Sequence, residues 1–360
     1  MAERDWRAIM GQCKRWLGQR RPSSAAALLT AAAAALPDDV WPDRYGEGEY
    51  VEAFERRIAA LFAAPAAVLL PSGTMGQQIA LRIHCDRRGT STVAFHPTCH
   101  LELHEHAGYA HLHGLKAELI GDRDRLIALE DLEALTAPIG ALLIELPQRE
   151  IGGRLPEWDD LLAQIQWARG RHVATHLDGA RVWESAPYYG RPYSEIGELF
   201  DTVYVSLYKG LGGLAGSVLT GPDDVIAEAR VWRRRHGGAL PSLFPFAASA
   251  QRGLDELVPQ MERFLAHARL LASALSQVPG IVVVPDPPQT PLFHVHLRGD
   301  IKALEERALD VAQEQGVWLF HQLAPSVVPT VSILELTVGE PALEISPHEA
   351  ADLFQMVVGA

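Results

Sequence analysis

Between residues 67 and 220, short unbroken apolar runs alternate with stretches in which apolar residues recur every three or four positions. The runs 67–70, 92–95, 117–120, 141–146, 172–177, 202–207 and 214–220 predict strands, and 74–85, 100–108, 129–135 and 158–169 predict helices between them. Strands without polar alternation are covered on both faces, and helices between them supply the cover. The pattern therefore predicts the α/β class with a mainly parallel sheet. From about residue 243 the pattern changes. A long helical stretch passes through 266–275, strands follow at 281–284, 293–297 and 331–336, and helices lie near 303–315 and 347–358, which reads as a smaller α+β domain. The organisation expected is an N-terminal arm and helix over 1–45, a large domain over 46–242 and a small C-terminal domain over 243–360. Residues 25–36 are mostly alanine, begin after Pro22-Ser23-Ser24 and end at Pro37. They predict an amphipathic or buried helix rather than a cleaved leader, although Arg20-Arg21 precede them.

Composition narrows the classes of function. With 360 residues, 48% of them hydrophobic, the chain has material for a large core. The formal net charge of -13 argues against a general binder of nucleic acid or anionic membrane, whose phosphates repel an acidic surface. No apolar run reaches the roughly 18 residues of a membrane span. Cys13, Cys85 and Cys99 form no C-x-x-C pair, which argues against a disulfide framework or thiolate zinc and fits a reducing, cytoplasmic setting.

Ligands of parallel sheets bind beyond the carboxyl ends of the strands, so the residues there carry the candidate chemistry. Lys209 follows a predicted strand within Ser206-Leu207-Tyr208-Lys209-Gly210-Leu211-Gly212-Gly213. Small and apolar neighbours would desolvate its amine and raise its nucleophilicity, as a Schiff-base lysine requires. A surface cation is the plainer reading of that lysine. Asp178, in His176-Leu177-Asp178-Gly179-Ala180-Arg181, ends another strand. A carboxylate there needs a cation, which could be Arg181 or the protonated ring nitrogen of pyridoxal phosphate (PLP). The turn Pro71-Ser72-Gly73-Thr74-Met75-Gly76 offers a helix N-terminus to a phosphate, or else an ordinary cap by Ser72 or Thr74. His100 and His104 stand four apart on one predicted helix, as a metal pair would, but no third ligand has a usual spacing and no metal is expected. Phosphate turn, acid and amine, in that order, are the full set of contacts PLP requires.

These segments resemble the threonine aldolase and β-eliminating lyase family of fold-type-I PLP enzymes. Asp43-Arg44-Tyr45-Gly46-Glu47, His100 with Glu105, and Arg233-Arg234-Arg235 with Gly237-Gly238 extend the resemblance over about residues 38–250. It implies a large domain with a seven-stranded-type sheet and retro-aldol cleavage of a β-hydroxy-α-amino acid. A β-eliminating lyase and a non-catalytic PLP-binding protein remain alternatives. It further implies Lys209 as the Schiff-base lysine, Asp178 at the ring nitrogen, and Gly73 and Thr74 at the phosphate, with Ser72 and Ser206 among the cofactor contacts. His100 would stack on the ring near the substrate hydroxyl, and Arg181 would meet cofactor or substrate carboxylate. Arg234 and Arg235 would reach a neighbouring subunit's site, so a homodimer or homotetramer is implied. The chain departs from the family pattern in four places. Tyr208 replaces a serine, and Trp16-Leu17-Gly18 stands where an arm with Ser-Asp-Thr is usual. Residues 334–339 lack the usual carboxylate-clamping arginine, and 145–153 replace an asparagine-containing segment, which leaves Arg149 as a substitute clamp.

Overall fold

The computed structural model describes residues 4–359. They divide into two compact units, one of residues 25–150 and 155–259, the other of residues up to 24, 151–154 and 260 onward.

The first unit is built on seven strands: β1 (Ala66–Leu70), β2 (Thr92–Phe95), β3 (Lys116–Leu119), β4 (Ala141–Glu145), β5 (Ala174–Gly179), β6 (Thr202–Ser206) and β7 (Ser217–Gly221). Their spatial order is β1-β7-β6-β5-β4-β2-β3. From β6 to β3 every pairing is parallel, and β7 runs antiparallel to both of its neighbours. The unbroken apolar runs are explained by this position, since β1, β4, β6 and β7 are buried along almost their whole length. Parallel register aligns the carboxyl ends of β4, β5 and β6, pairing Glu145 with Asp178 and Asp178 with Tyr204.

Of the helices, α1 (Ala25–Ala34), α2 (Glu49–Leu61), α3 (Gly73–Arg88), α4 (His100–Leu103), α5 (Gly108–His113), α6 (Trp158–Gly170), α7 (Asp223–Arg235) and α8 (Phe244–Arg252) matter here. Ser72 caps α3, its Oγ accepting the Met75 N–H at 3.3 Å, and Gly89 ends it with φ 64°. Ile79, Ala80 and Ile83 of α3 join Tyr204 and Leu219 of the sheet in one core cluster. Each fully buried isoleucine or leucine side chain among them contributes roughly 1.5–3 kcal/mol.

Two sequence expectations need correction. The segment 100–108 is not one helix. α4 stops after Leu103, and His106 and Ala107 then adopt left-handed φ of 50° and 51° before α5 begins at Gly108. His100 and His104 nevertheless stay neighbours, the His104 N–H donating to the His100 carbonyl at 2.9 Å and their rings standing 5.1 Å apart. The alanine-rich segment does form a helix, α1, but it is neither amphipathic nor buried: Ala32 is its one buried residue. Alanine on every side supplies helix propensity without an apolar stripe.

The second unit carries an antiparallel sheet in the order Ala324–Pro325, Val331–Thr337, Leu292–Arg298, Ile281–Val284. Alternate burial along Val331–Thr337 marks one covered face. Helices Met261–Leu275, Ile301–Gln315 and Pro347–Val358 pack together there, and the Asp5-capped helix Trp6–Gln12 joins Ile301–Gln315 through Ile9, Cys13, Leu309, Ala312 and Trp318. Among the described residues no helix is long and apolar enough to cross a membrane.

A buried polar bridge ties α3 to the sheet. The Thr202 hydroxyl lies 2.8 Å from His84 Nε2 and 2.8 Å from His176 Nδ1, and it can donate to one ring while accepting from the other. Burial depresses His84 to about 4 and His176 to about 3. A histidine whose folded pKa is depressed stabilises the fold above its unfolded value of about 6.5, and that stability is lost as pH falls below it. Urea unfolding should therefore lose on the order of 2 kcal/mol per histidine between pH 7 and pH 5. His84→Gln should be less stable at pH 7 but show a shallower pH slope. An unchanged slope would exclude this bridge as its source.

Candidate active site

Three carboxyl ends of adjacent strands converge in the first unit. Asp178, 1% exposed, ends β5. Its Oδ1 accepts the Ala180 N–H at 3.1 Å, and the Gln77 side chain from α3 hydrogen-bonds it as well. Lys209 is half-buried three residues beyond β6, where its N–H donates to Ser206 Oγ at 3.3 Å. Burial lowers the Lys209 amine below its ordinary range, against the opposing pull of Asp178 and Glu145. Burial likewise pushes Asp178 up, against Lys209 and His100.

His100 opens α4 within electrostatic reach of Asp178. Its Nδ1 lies 3.0 Å from Glu105 Oε1, and Glu105 Oε2 accepts from Gln78 Nε2 at 3.1 Å. The break at His106 and Ala107 lets Glu105 turn inward, where its side chain is only 1% exposed.

The turn into α3 is shaped by Tyr204. A Cβ added at Gly73 would stand 2.1 Å from the Tyr204 hydroxyl and 2.6 Å from its ring, so only glycine lets this backbone close onto the sheet. Ser72 Oγ is occupied as a cap and its carbonyl accepts from Ser217 Oγ at 2.9 Å, while Thr74 is exposed in the first turn.

The arginines divide into two groups. Arg181 is within electrostatic reach of Lys209 and forms a 3.2 Å ion pair with the buried Glu184. Arg149 also reaches Lys209 electrostatically. It pairs with Glu150 at 2.8 Å, and Glu150 in turn contacts His104 Nε2 at 2.7 Å. Arg234 and Arg235 are exposed on the last turn of α7, Arg235 lying over the Trp232 ring at 4.5 Å. Arg233, grouped with them by sequence, is instead 4% exposed and structural, donating to the Leu69 and Tyr45 carbonyls at 2.9 Å each.

Sequence reading missed Tyr204, Gln77, Gln78 and Glu145. Glu145 ends β4 beside Asp178, accepting Gln148 Nε2 and the Arg149 N–H at 3.2 Å each. The rule that sites lie beyond carboxyl ends would have found it. The glutamines and Tyr204 carry no local signal, because only the packing of α3 on β5 and β6 brings them to the site.

A profile of the β-eliminating lyase family matches residues 22–298. The low-specificity L-threonine aldolase 1 of Arabidopsis thaliana is 29% identical over 300 residues, covering 80% of this chain and 82% of its own. The low specificity L-threonine aldolase of Escherichia coli K12 is 30% identical over 250 residues, covering 68% of this chain and 74% of its own. Among solved structures, a candidate L-allo-threonine aldolase of Listeria monocytogenes EGD-E superposes with a TM-score of 0.93 at 36% identity, covering 98% of both chains.

Gly73→Ala should cost about 1–3 kcal/mol by overpacking against Tyr204. Adding Tyr204→Phe should recover part of that loss in chemical denaturation. Strict additivity of the two substitutions would show that the contact does not set the turn.

Proposed function

The chain belongs to the β-eliminating lyase family, and from that membership we propose that it is a PLP-dependent carbon–carbon lyase that cleaves a threonine-like β-hydroxy-α-amino acid to glycine and an aldehyde. The observation that carries this reading is the desolvated Lys209 amine opposite buried Asp178.

These residues suit PLP. An amine kept partly unprotonated is available to its aldehyde carbon, a buried acid to its ring nitrogen, and the N–H groups opening α3 to its phosphate. Lys209 would hold the first, Asp178 the second, and Gly73 and Thr74 the third. Ser72 would contribute as the cap that fixes the turn, and Ser206 by orienting the Lys209 backbone. Bound there, the cofactor supplies an electron sink for the bond broken at the substrate Cα.

The chain's own groups do the rest. Glu105 holds His100 at Nδ1, which selects the tautomer whose Nε2 lone pair is free to take the β-hydroxyl proton. Gln78 fixes Glu105 in turn. Arg181 would meet the substrate carboxylate, its charge partly offset by Glu184, and Arg149 is the second candidate for that contact. Arg234 and Arg235 are exposed in a way that suits contact with a second copy, and our reading is a homodimer or homotetramer. Three unpaired cysteines fit the cytoplasm, and we assign no nucleic-acid or membrane partner.

The purified protein with PLP and threonine should release glycine and acetaldehyde. Ammonia and a keto acid would replace carbon–carbon cleavage with β-elimination, and cofactor binding without turnover across a panel of L- and D-β-hydroxy amino acids would overturn both. Lys209→Ala should lose the borohydride-fixed cofactor. A fixed adduct persisting in that variant would remove Lys209 from its role.

A further inference from the structure

We propose that Glu145 is a proton-holding partner of Asp178 and Lys209, standing in the site as a neutral carboxylic acid so that the Lys209 amine faces a single negative charge. This rests on the reading of Asp178 and Lys209 as the cofactor-holding pair.

The argument begins with strand register. Glu145 and Asp178 are paired residues at the carboxyl ends of adjacent parallel strands, so two carboxyl groups stand close together, Asp178 fully buried and Glu145 half-buried. Two like charges so placed do not both ionise near neutrality, and one carboxyl keeps the proton. Asp178 is the better site for the negative charge, since it has the Ala180 N–H, the Gln77 amide and two potential cations, Lys209 and His100. Glu145 has the Arg149 N–H and the Gln148 amide. The other ionisable groups facing it are Glu150 and Arg149 on the turn beyond β4, Lys209 beyond β6, and the Cys99 thiol before α4. Burial and the neighbouring Asp178 push Glu145 up to about 8.

A consequence follows for the amine. Below about pH 8 Glu145 adds no charge, and burial leaves Lys209 with an enlarged free-amine fraction. Above that pH the new carboxylate pulls Lys209 back toward ammonium. Glu145 is thus a tuning residue that acts through Lys209.

The apoprotein tests this without turnover. Lys209 acylation by acetic anhydride, read by peptide mass spectrometry across pH, gives the titration of the amine. Glu145→Gln removes the acid while keeping its shape. It should leave Lys209 labelling unchanged at pH 7, where the wild-type acid is neutral, and raise it at pH 9, where the wild-type acid is ionised. Infrared spectra of the wild-type protein should show a protonated-carboxyl C=O band that fades as pH rises through about 8. That band should be absent in Glu145→Gln and should fade at lower pH in Asp178→Asn. No such band at pH 7, or Glu145→Gln labelling of Lys209 that differs from wild type at pH 7 or matches it at pH 9, overturns the proposal. Cofactor fixed in Lys209→Ala would instead overturn the underlying assignment, while the coupling of Glu145 to the apoprotein amine is still measured directly.

Discussion

The structure depends on one electrostatic problem: ionisable groups are gathered at the ends of three adjacent strands that the rest of the unit needs to keep apolar. Taking an unpaired charge out of water costs several kcal/mol, so such a cluster persists only if its members compensate one another. Asp178 and Lys209 are opposite in sign, and each opposes the shift that burial imposes on the other. Parallel pairing of β4, β5 and β6 makes the cluster unavoidable, because it brings the carboxyl ends of all three strands to one edge. A fold that hides its strands on both faces has little else there to receive a polar ligand.

Much of this was legible in the chain. The expected runs overlap all seven strands of the large sheet, most plainly where burial on both faces leaves few polar residues, as in Ala66–Leu70 and Ala141–Glu145, and least plainly at the exposed edge strand Lys116–Leu119. Lys209 and Asp178 were legible for the same reason, as charges placed directly after such runs. Glu145 ends a strand in the same way, although the sequence reading of 145–153 rested on Arg149 instead. Arg233 shows the opposite failure. Sequence grouped three consecutive arginines, but a helix turns 100° per residue, and only Arg233 faces inward, onto the Leu69 and Tyr45 carbonyls. The left-handed pair His106 and Ala107 was invisible, since neither residue type announces that conformation.

The site is also layered. His100 depends on Glu105 and Glu105 on Gln78, and Gln78 and Gln77 lie side by side on α3. The helix whose first turn suits a phosphate therefore also holds the partners of the candidate base and of the ring-nitrogen acid. A rigid element serving three contacts fixes their spacing better than three loops would.

Asp43 carries a different lesson. Its carboxylate gathers the N–H groups of Gly46, Leu243 and Phe244 and the Ser242 hydroxyl, while Arg233 grips the Tyr45 carbonyl. Two segments nearly 200 positions apart are thereby clamped into one piece, and Tyr45 is held half exposed at φ 57°. The span between Arg233 and Ser242 is thus a fixed-length tether. Evolution is free to change its side chains, but a gained or lost residue there would be felt at the far end of the clamp, as a displaced tyrosine.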